Sequence, residues 1–440
     1  MQTKSFGWAL LVSAALAVGT AQNSFAQEVA PSGQYREQGL PVAGWLLYPS
    51  IFVGATYDDN PNQAASGTDD SKGVSLRVAP RLTGTYDGGI HRSTFYGVVD
   101  ARFFNPDTVA ATAGFTHLWQ PMQDLIFNFY GNYTRQTDIF NSALQFNNGA
   151  IGPPATPNVN IPIILNPFGT TPGVNPIAYN QFTYGADVTK TFNQLNVTLR
   201  GTVFNILYDH SDNVALPFQT SHDGASYWLT ARASYNFTPQ FYVFAQGDGI
   251  FQRFTNSLFN TNGYRVIGGV GSNDPKSLFR GEVYGGYWAQ NQEQDNVFGF
   301  GIPTDTNSAV FGGRLSYFPT RYWAIVAQVD QTLGMSTTLA PNIPAGIPTR
   351  TTTAILQTTY GIARDWSFGV RGGYTRGEFI GFGQLNNHGW MAGASFNYEI
   401  WRNLMLTLDY QYTTVQSNTL LASFTEFTDN RYTAGLTYKY

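Results

Sequence analysis

The sequence predicts an all-β fold, a transmembrane antiparallel up-and-down β-barrel of roughly 16–18 strands, and a direct count of strands gives 18. From residue 44 onward, apolar and polar side chains alternate with the period of a two-faced strand. The breaks between these stretches alternate between short and long, and the even count places both termini at the short-turn end. Only 12% of residues are charged, about half the share of soluble domains, so much of the surface is expected to avoid water.

Residues 1–26 have the features of a secretory signal peptide. Lys4 supplies a positive charge, a short apolar segment follows, and small residues lead to a cleavage site after Ala26. A membrane anchor would need a longer apolar run of about 20 residues. We therefore expect export, a short polar periplasmic lead at 27–43 and the barrel at 44–440. The absence of cysteine suits a large exported β-structure better than a disulfide scaffold.

The segment 73–86, GVSLRVAPRLTGTY, shows the pattern of the first strands. Apolar residues occupy one face, and Arg77 and Arg81 lie on the other. Aromatic residues sit near both ends of the apolar faces, as expected for strands between two aromatic girdles, and a soluble sandwich would lack these girdles. Pro49 and Pro80 interrupt the first two strands, so we expect a bulge or local irregularity there.

The last stretch, RYTAGLTYKY, ends in mid-strand on an aromatic residue. We expect it to pair with the first strand, 44–57, because closure leaves no unpaired edge. Its outward residues resemble the signal read by the outer-membrane assembly machinery; they are Tyr432, Leu436, Tyr438 and Tyr440.

Several runs resemble a known family. They are GWLLYPSIFVGATYDDNPN, RVAPRL and GGIHRSTFYGVVDARFF near the start, and FYGNYTRQTD and LSYFPTRYWAIVAQVD further on. The chain resembles an outer-membrane β-barrel porin family, the second family of that name. This resemblance implies a porin, from a family sometimes associated with exopolysaccharide export genes, and it implies no particular solute.

The polar phase of the strands is predicted to face the lumen, because Arg or Lys facing lipid at the midplane costs about 2–4 kcal/mol. The basic pore-lining residues are then Arg77, Arg81, Arg92, Arg102, Arg200, Arg232, Arg265, Arg280, Arg314, Arg371 and Arg431. The acidic ones are Asp100, Asp187, Asp248, Glu282, Asp330 and Asp409. Lys190 falls in the lipid-facing phase, but near the short turns, where its ammonium group can reach the interface.

This excess of arginine has two interpretations. A positive wall around a water-filled lumen favours anionic solutes. Alternatively, the charges pair between strands and only stiffen the wall. The long break at 138–181 is also open to two interpretations, because it is rich in proline and isoleucine and almost free of charge. It either folds into the lumen as a constriction or caps the extracellular mouth.

The sequence indicates neither catalysis nor a cofactor, so we predict that the chain is not an enzyme. His210 and His222 share a polar loop without defined ligand spacing, and no residue is assigned as a metal ligand. Acidic residues of the long loops can bind divalent ions shared with lipopolysaccharide, or are simply solvated. They are Asp58, Asp59, Asp69, Asp70, Asp209, Asp212, Asp223, Glu293 and Asp295.

The leading functional hypothesis is passive diffusion of small hydrophilic, mainly anionic solutes. The alternative is export of an exopolysaccharide, which needs periplasmic partners and a track of inward aromatic residues. Candidates for this track are Tyr96, Tyr130, Trp228, Tyr242, Phe244, Tyr284 and Trp288. A barrel adhesin or purely structural barrel is a third class. We expect outer-membrane lipid, lipopolysaccharide and the assembly machinery as partners and no nucleic acid, and the sequence leaves open whether the chain forms a homo-oligomer.

Overall fold

The computed structural model describes residues 39–60, 72–104, 108–138, 177–209, 223–255, 257, 260–272, 274, 277–293, 305–335, 348–363, 365–380, 386–417 and 426–440. The predicted signal peptide, the central part of the 138–181 loop and the two histidines at 210 and 222 lie outside these residues. Within the described ranges, no helix has the length and apolarity needed to cross a membrane.

The described chain is built from antiparallel strands. Their bounds are β1 Leu40–Val42, β2 Trp45–Asp58, β3 Gly73–Asp87, β4 His91–Phe103, β5 Thr108–Met122, β6 Leu125–Asp138, β7 Ile177–Phe192, β8 Leu195–Tyr208, β9 Gly224–Asn236, β10 Phe241–Phe254, β11 Thr261–Ser272, β12 Phe279–Gln292, β13 Asp305–Thr320, β14 Trp323–Met335, β15 Pro348–Ala363, β16 Trp366–Phe379, β17 Asn386–Trp401, β18 Leu404–Ser417 and β19 Phe427–Lys439.

The strands close into a barrel. Each strand from β2 to β18 pairs with the next one along the chain, and β19 pairs with β2, with Tyr432 opposite Tyr57. This confirms the predicted 18-strand closed barrel and the pairing of its first and last strands. The short β1 lies at the end of the segment predicted as the lead, and it pairs with β2 through Val42 and Trp45.

The barrel is apolar outside and polar inside. On β3, Val74 and Leu76 are 59% and 41% exposed, whereas Ser75 and Arg77 between them are 5% and 7% exposed. A soluble protein would bury the apolar phase. An apolar outer surface is stable only against lipid, which accounts for the few charges in the composition.

Aromatic pairs mark both ends of the outer face. Trp119 and Phe127 lie 5.0 Å apart at the short-turn end, as do Trp366 and Tyr398 at 5.2 Å. The pairs Tyr57–Tyr432, Tyr133–Phe182 and Tyr264–Tyr287 lie towards the long-loop end. These two groups correspond to the girdles that hold a barrel at the two membrane interfaces.

The prolines disturb the strands less than the sequence predicts. Pro49 pairs with Leu82 in continuous register, and its carbonyl accepts a hydrogen bond from the Tyr440 backbone N–H at 3.2 Å. A residue's N–H and C=O point to the same edge of a strand, so the missing N–H of Pro49 falls where the β19 ladder ends. Beside Pro80 the β3–β4 ladder lacks pairs, but the register does not shift. The expected irregularity is present, without a bulge.

Lys190 has a specific partner at the short-turn end. Its ammonium group donates to Asp124, in the turn between β5 and β6, at 2.5 Å, and it lies 5.9 Å from the centre of the Phe192 ring. The hydrogen bond from Lys190 lowers the pKa of Asp124 below its usual value. The positive charge of Lys190, which lies in the lipid-facing phase, is therefore balanced by Asp124 at the membrane interface.

Candidate functional site: the charged lining of the barrel

The curvature of the wall shows which way the polar phase points. Arg232 on β9 donates to Glu282 on β12 at 2.7 Å, although two strands lie between them. Neighbouring strands are about 4.8 Å apart, so these two backbones would be roughly 14 Å apart in a flat sheet. Side chains can bridge such a gap only on the concave side, where they converge. The charged phase therefore points into the barrel.

Most of the predicted inward acids pair with predicted inward arginines. The pairs are Arg77–Asp100 at 2.6 Å, Arg200–Asp187 at 3.4 Å, Arg232–Glu282 at 2.7 Å, Arg265–Asp248 at 2.8 Å and Arg371–Asp409 at 2.7 Å. Asp330 accepts hydrogen bonds from Tyr284 at 2.6 Å and from Gln328 at 2.8 Å. The pairing interpretation thus describes the geometry of these residues, and their contact with a solute stays a prediction.

The other predicted arginines have different surroundings. Arg92 lies 3.4 Å from Asp87 at the short-turn end. The guanidinium of Arg280 lies 4.6 Å from the centre of the Phe318 ring. Arg81, Arg102 and Arg314 share the inward phase and are partly buried.

A buried aromatic cluster covers part of the inner wall. Trp228 and Trp288 meet edge to face at 5.8 Å, and the guanidinium of Arg265 lies within 5.5 Å of both ring centres. The Tyr242 hydroxyl donates to Glu282 at 3.0 Å. Trp288 is 1% exposed, so its ring faces are already covered. The sequence predicted that these aromatic residues point inward but not that they pack together, since strand spacing does not show which strands converge.

The β2–β19 seam contains an acidic group that the sequence analysis did not assemble. The sequence pattern places Asp58 and Asp59 in a long loop and gives no role to Asp429. Arg431 on β19 lies 2.8 Å from Asp58 and 3.3 Å from Asp429. This acidic group could have been found from the predicted pairing of the first and last strands, because that pairing brings the end of β2 beside the start of β19.

The predicted insertion-signal residues lie on the outer face. Tyr432, Leu436, Tyr438 and Tyr440 are 51%, 42%, 50% and 58% exposed. Their outward direction agrees with the predicted phase, and their recognition by the assembly machinery stays a prediction.

The described histidines form local contacts. His91 stacks with His117 at 5.4 Å between ring centres, and Ser93 lies within hydrogen-bond distance of His117 at 2.8 Å. His117 belongs to the outward phase near the short-turn girdle. His388, at the start of β17, lies 3.0 Å from Gln416.

Comparisons with known proteins give one family model and several similar solved structures. A family model described as "Putative beta-barrel porin 2" matches residues 166–440, which include the LSYFPTRYWAIVAQVD hairpin but not the runs near the start. No curated protein matches the chain. OpdL of Pseudomonas aeruginosa is a similar solved structure, with 12% identity, coverage of 90% of this chain and 99% of that one, and a TM-score of 0.45. OccAB3 of Acinetobacter baumannii has 10% identity, coverage of 91% and 100%, and a TM-score of 0.45.

Proposed function

This chain belongs to the family described as "Putative beta-barrel porin 2" and is a porin of the outer membrane, and we propose that it conducts small hydrophilic solutes by passive diffusion, with a modest preference for anions. The observation that carries the proposal is the inverted polarity of the barrel. A closed wall with an apolar exterior and a charged interior separates lipid from a hydrated path.

The anion preference follows from the composition of the inner wall. Among the residues whose side chains the structure describes, eleven arginines and ten acids share the inward phase, once Asp58, Asp87, Asp429 and the buried Glu399 are added to the six predicted acids. Fixed positive charge raises the local concentration of anions in a pore. Because most of the acids are already paired with arginines, we expect weak selectivity instead of exclusion of cations.

Exopolysaccharide export has weaker support. Sugar rings bind to aromatic faces that are open to the lumen, whereas Trp228, Trp288 and Phe244 are 3%, 1% and 5% exposed. These residues pack against one another and against arginines. The proposal therefore gives the protein no catalytic role and requires no periplasmic export partner. It takes membrane lipid, lipopolysaccharide and the outer-membrane assembly machinery as the surroundings and partners of the barrel.

The test is planar-bilayer conductance of the purified mature chain, with the reversal potential measured in a KCl gradient. Steady openings and a reversal potential shifted modestly towards the chloride equilibrium potential are expected. Openings with cation preference would overturn the anion preference but not the channel. A barrel that is verified as folded but never opens would overturn passive diffusion itself.

A further inference from the structure

Three carboxylates meet where the barrel closes. Asp58 is the last residue of β2 and Asp59 follows it, whereas Asp429 lies near the start of β19, two residues before the Arg431 that pairs with Asp58. One carboxylate oxygen from each residue lies within 4.8 Å of the other two. Asp58 and Asp429 are 5% and 3% exposed, so this negative charge is largely removed from water.

Two of these carboxylates are held by neighbouring donors. Asp59 accepts hydrogen bonds from the backbone N–H and the side-chain amide of Asn430, at 2.6 and 2.7 Å. Asp58 accepts from the Asn60 backbone N–H at 3.0 Å and from Arg431 Nε at 2.8 Å. Each oxygen keeps a second lone pair, because an ionised carboxylate has about four acceptor positions. The donors thus orient the carboxylate oxygens but leave some of their acceptor positions unoccupied.

Asp429 differs from the other two. Its Oδ2 accepts from Arg431 at 3.3 Å, but its Oδ1 is buried and has no hydrogen-bond donor. An ionised oxygen that is buried without a donor or a cation is strongly unfavourable. Arg431 is shared between Asp58 and Asp429, so one guanidinium faces two carboxylates in direct contact and a third beside them.

We propose that Asp58, Asp59 and Asp429 form a divalent-cation site, of the calcium type, that links the first and last strands of the barrel. The donor set consists of carboxylate oxygens, which suit hard cations such as Ca²⁺ and Mg²⁺ better than transition metals. Oxygens on opposite sides of Ca²⁺ are about 5 Å apart, since its bonds are about 2.3–2.6 Å long, whereas the shorter bonds of Mg²⁺ require a tighter cage. Separations of up to 4.8 Å between the three oxygens are within the range that Ca²⁺ can span.

The consequence is a cation-dependent closure of the barrel. The site joins the first and last strands of the barrel, whose pairing closes the wall. A bound ion would relieve the repulsion among the carboxylates and stabilise the folded barrel by mass action. This inference goes beyond solute transport and does not depend on which solute passes.

The first experiment is isothermal titration of the purified full-length mature barrel, stripped with chelator, against CaCl₂ and separately against MgCl₂. We expect one site with a Ca²⁺ affinity in the range of extracellular sites, about 10⁻⁴–10⁻³ M, and weaker Mg²⁺ binding. Asp429→Asn should weaken Ca²⁺ binding at least tenfold, or roughly 1.4 kcal/mol. Asp305→Asn is the matched control, because Asp305 is exposed at the same long-loop end.

The second measurement is the melting temperature of each barrel with and without Ca²⁺. The wild type and Asp305→Asn should both gain stability from Ca²⁺, and Asp429→Asn should not. If Asp429→Asn does not fold, Asp59→Asn replaces it, since Asp59 is only partly buried. An absence of Ca²⁺ uptake by the wild type up to 10 mM (about tenfold above the expected range) would overturn the proposal. Undiminished binding by both seam variants would also overturn it.

Discussion

Arg265 on β11 and Asp248 on β10 form an ion pair at 2.8 Å whose side chains are only 3% and 0% exposed. They lie directly opposite each other in the ladder. Thr230 donates a further hydrogen bond to Asp248 at 2.7 Å, and Trp228 and Trp288 cover the guanidinium. This pair is part of the packed wall of the barrel, because so little of it reaches the lumen.

Removal of one member of this pair should destabilise the barrel strongly. Arg265→Met leaves Asp248 buried without its cation, and loss of one partner of a buried pair costs about 3–5 kcal/mol. Urea unfolding in lipid vesicles, followed by tryptophan fluorescence, measures this loss. Lys190→Met, which breaks the half-exposed pair with Asp124, is the control and should cost much less. Equal losses would contradict the assignment of Arg265 to the packed wall.

Neutralising the two members of the Arg371–Asp409 pair should shift ion selectivity in opposite directions. The two side chains lie 2.7 Å apart and keep 10% and 12% exposure. Asp409→Asn leaves a positive charge and should move the reversal potential towards the chloride value, whereas Arg371→Gln should move it towards the potassium value. Asp305→Asn, outside the inner wall, should leave it nearly unchanged. Shifts of the same sign would show that this pair does not face the permeation path.

A charge on the outer face should be tolerated only near the interfaces. Leu229, in the middle of β9, is 61% exposed, and Leu195, the first residue of β8, is 37% exposed. Leu229→Arg should reduce the free energy of unfolding by about 2–4 kcal/mol, and Leu195→Arg by about 0–1 kcal/mol. Both values come from reversible unfolding in vesicles. Equal costs would place the lipid band elsewhere on the strands.

The closing seam requires a glycine at residue 435. A Cβ added to Gly435 would lie 2.4 Å from the Phe52 ring and 2.8 Å from the Val53 carbonyl oxygen. Phe52 is 1% exposed and has little room to move, so Gly435→Ala should cost about 1–3 kcal/mol. The fraction of heat-modifiable, folded barrel after refolding measures this effect. Gly97→Ala is the control, because nothing lies within 4 Å of the added Cβ, and an equal loss there would refute the steric explanation.

Much of the fold could be predicted because it depends on local patterns. The alternation of Val74 and Leu76 with Ser75 and Arg77 shows both the strand and its two faces, whatever the neighbouring strands are. The outward direction of Tyr432 and Leu436 follows in the same way. The predicted disturbance is absent at Pro49, where the register is continuous, because its missing N–H falls at the end of the β19 ladder.

The sequence by itself thus determined which residues form most of the strands, which face meets lipid and to which side the residues of each predicted strand point, because these properties repeat every second residue along the chain. The tertiary structure decided which charges meet. Curvature brings Arg232 to Glu282 across two intervening strands, and closure brings Asp58 to Asp429 from opposite ends of the chain. The alternation of apolar and polar residues shows which face a side chain is on, but not which side chain on another strand it contacts. Both contacts depend on the register and circumference of the closed wall.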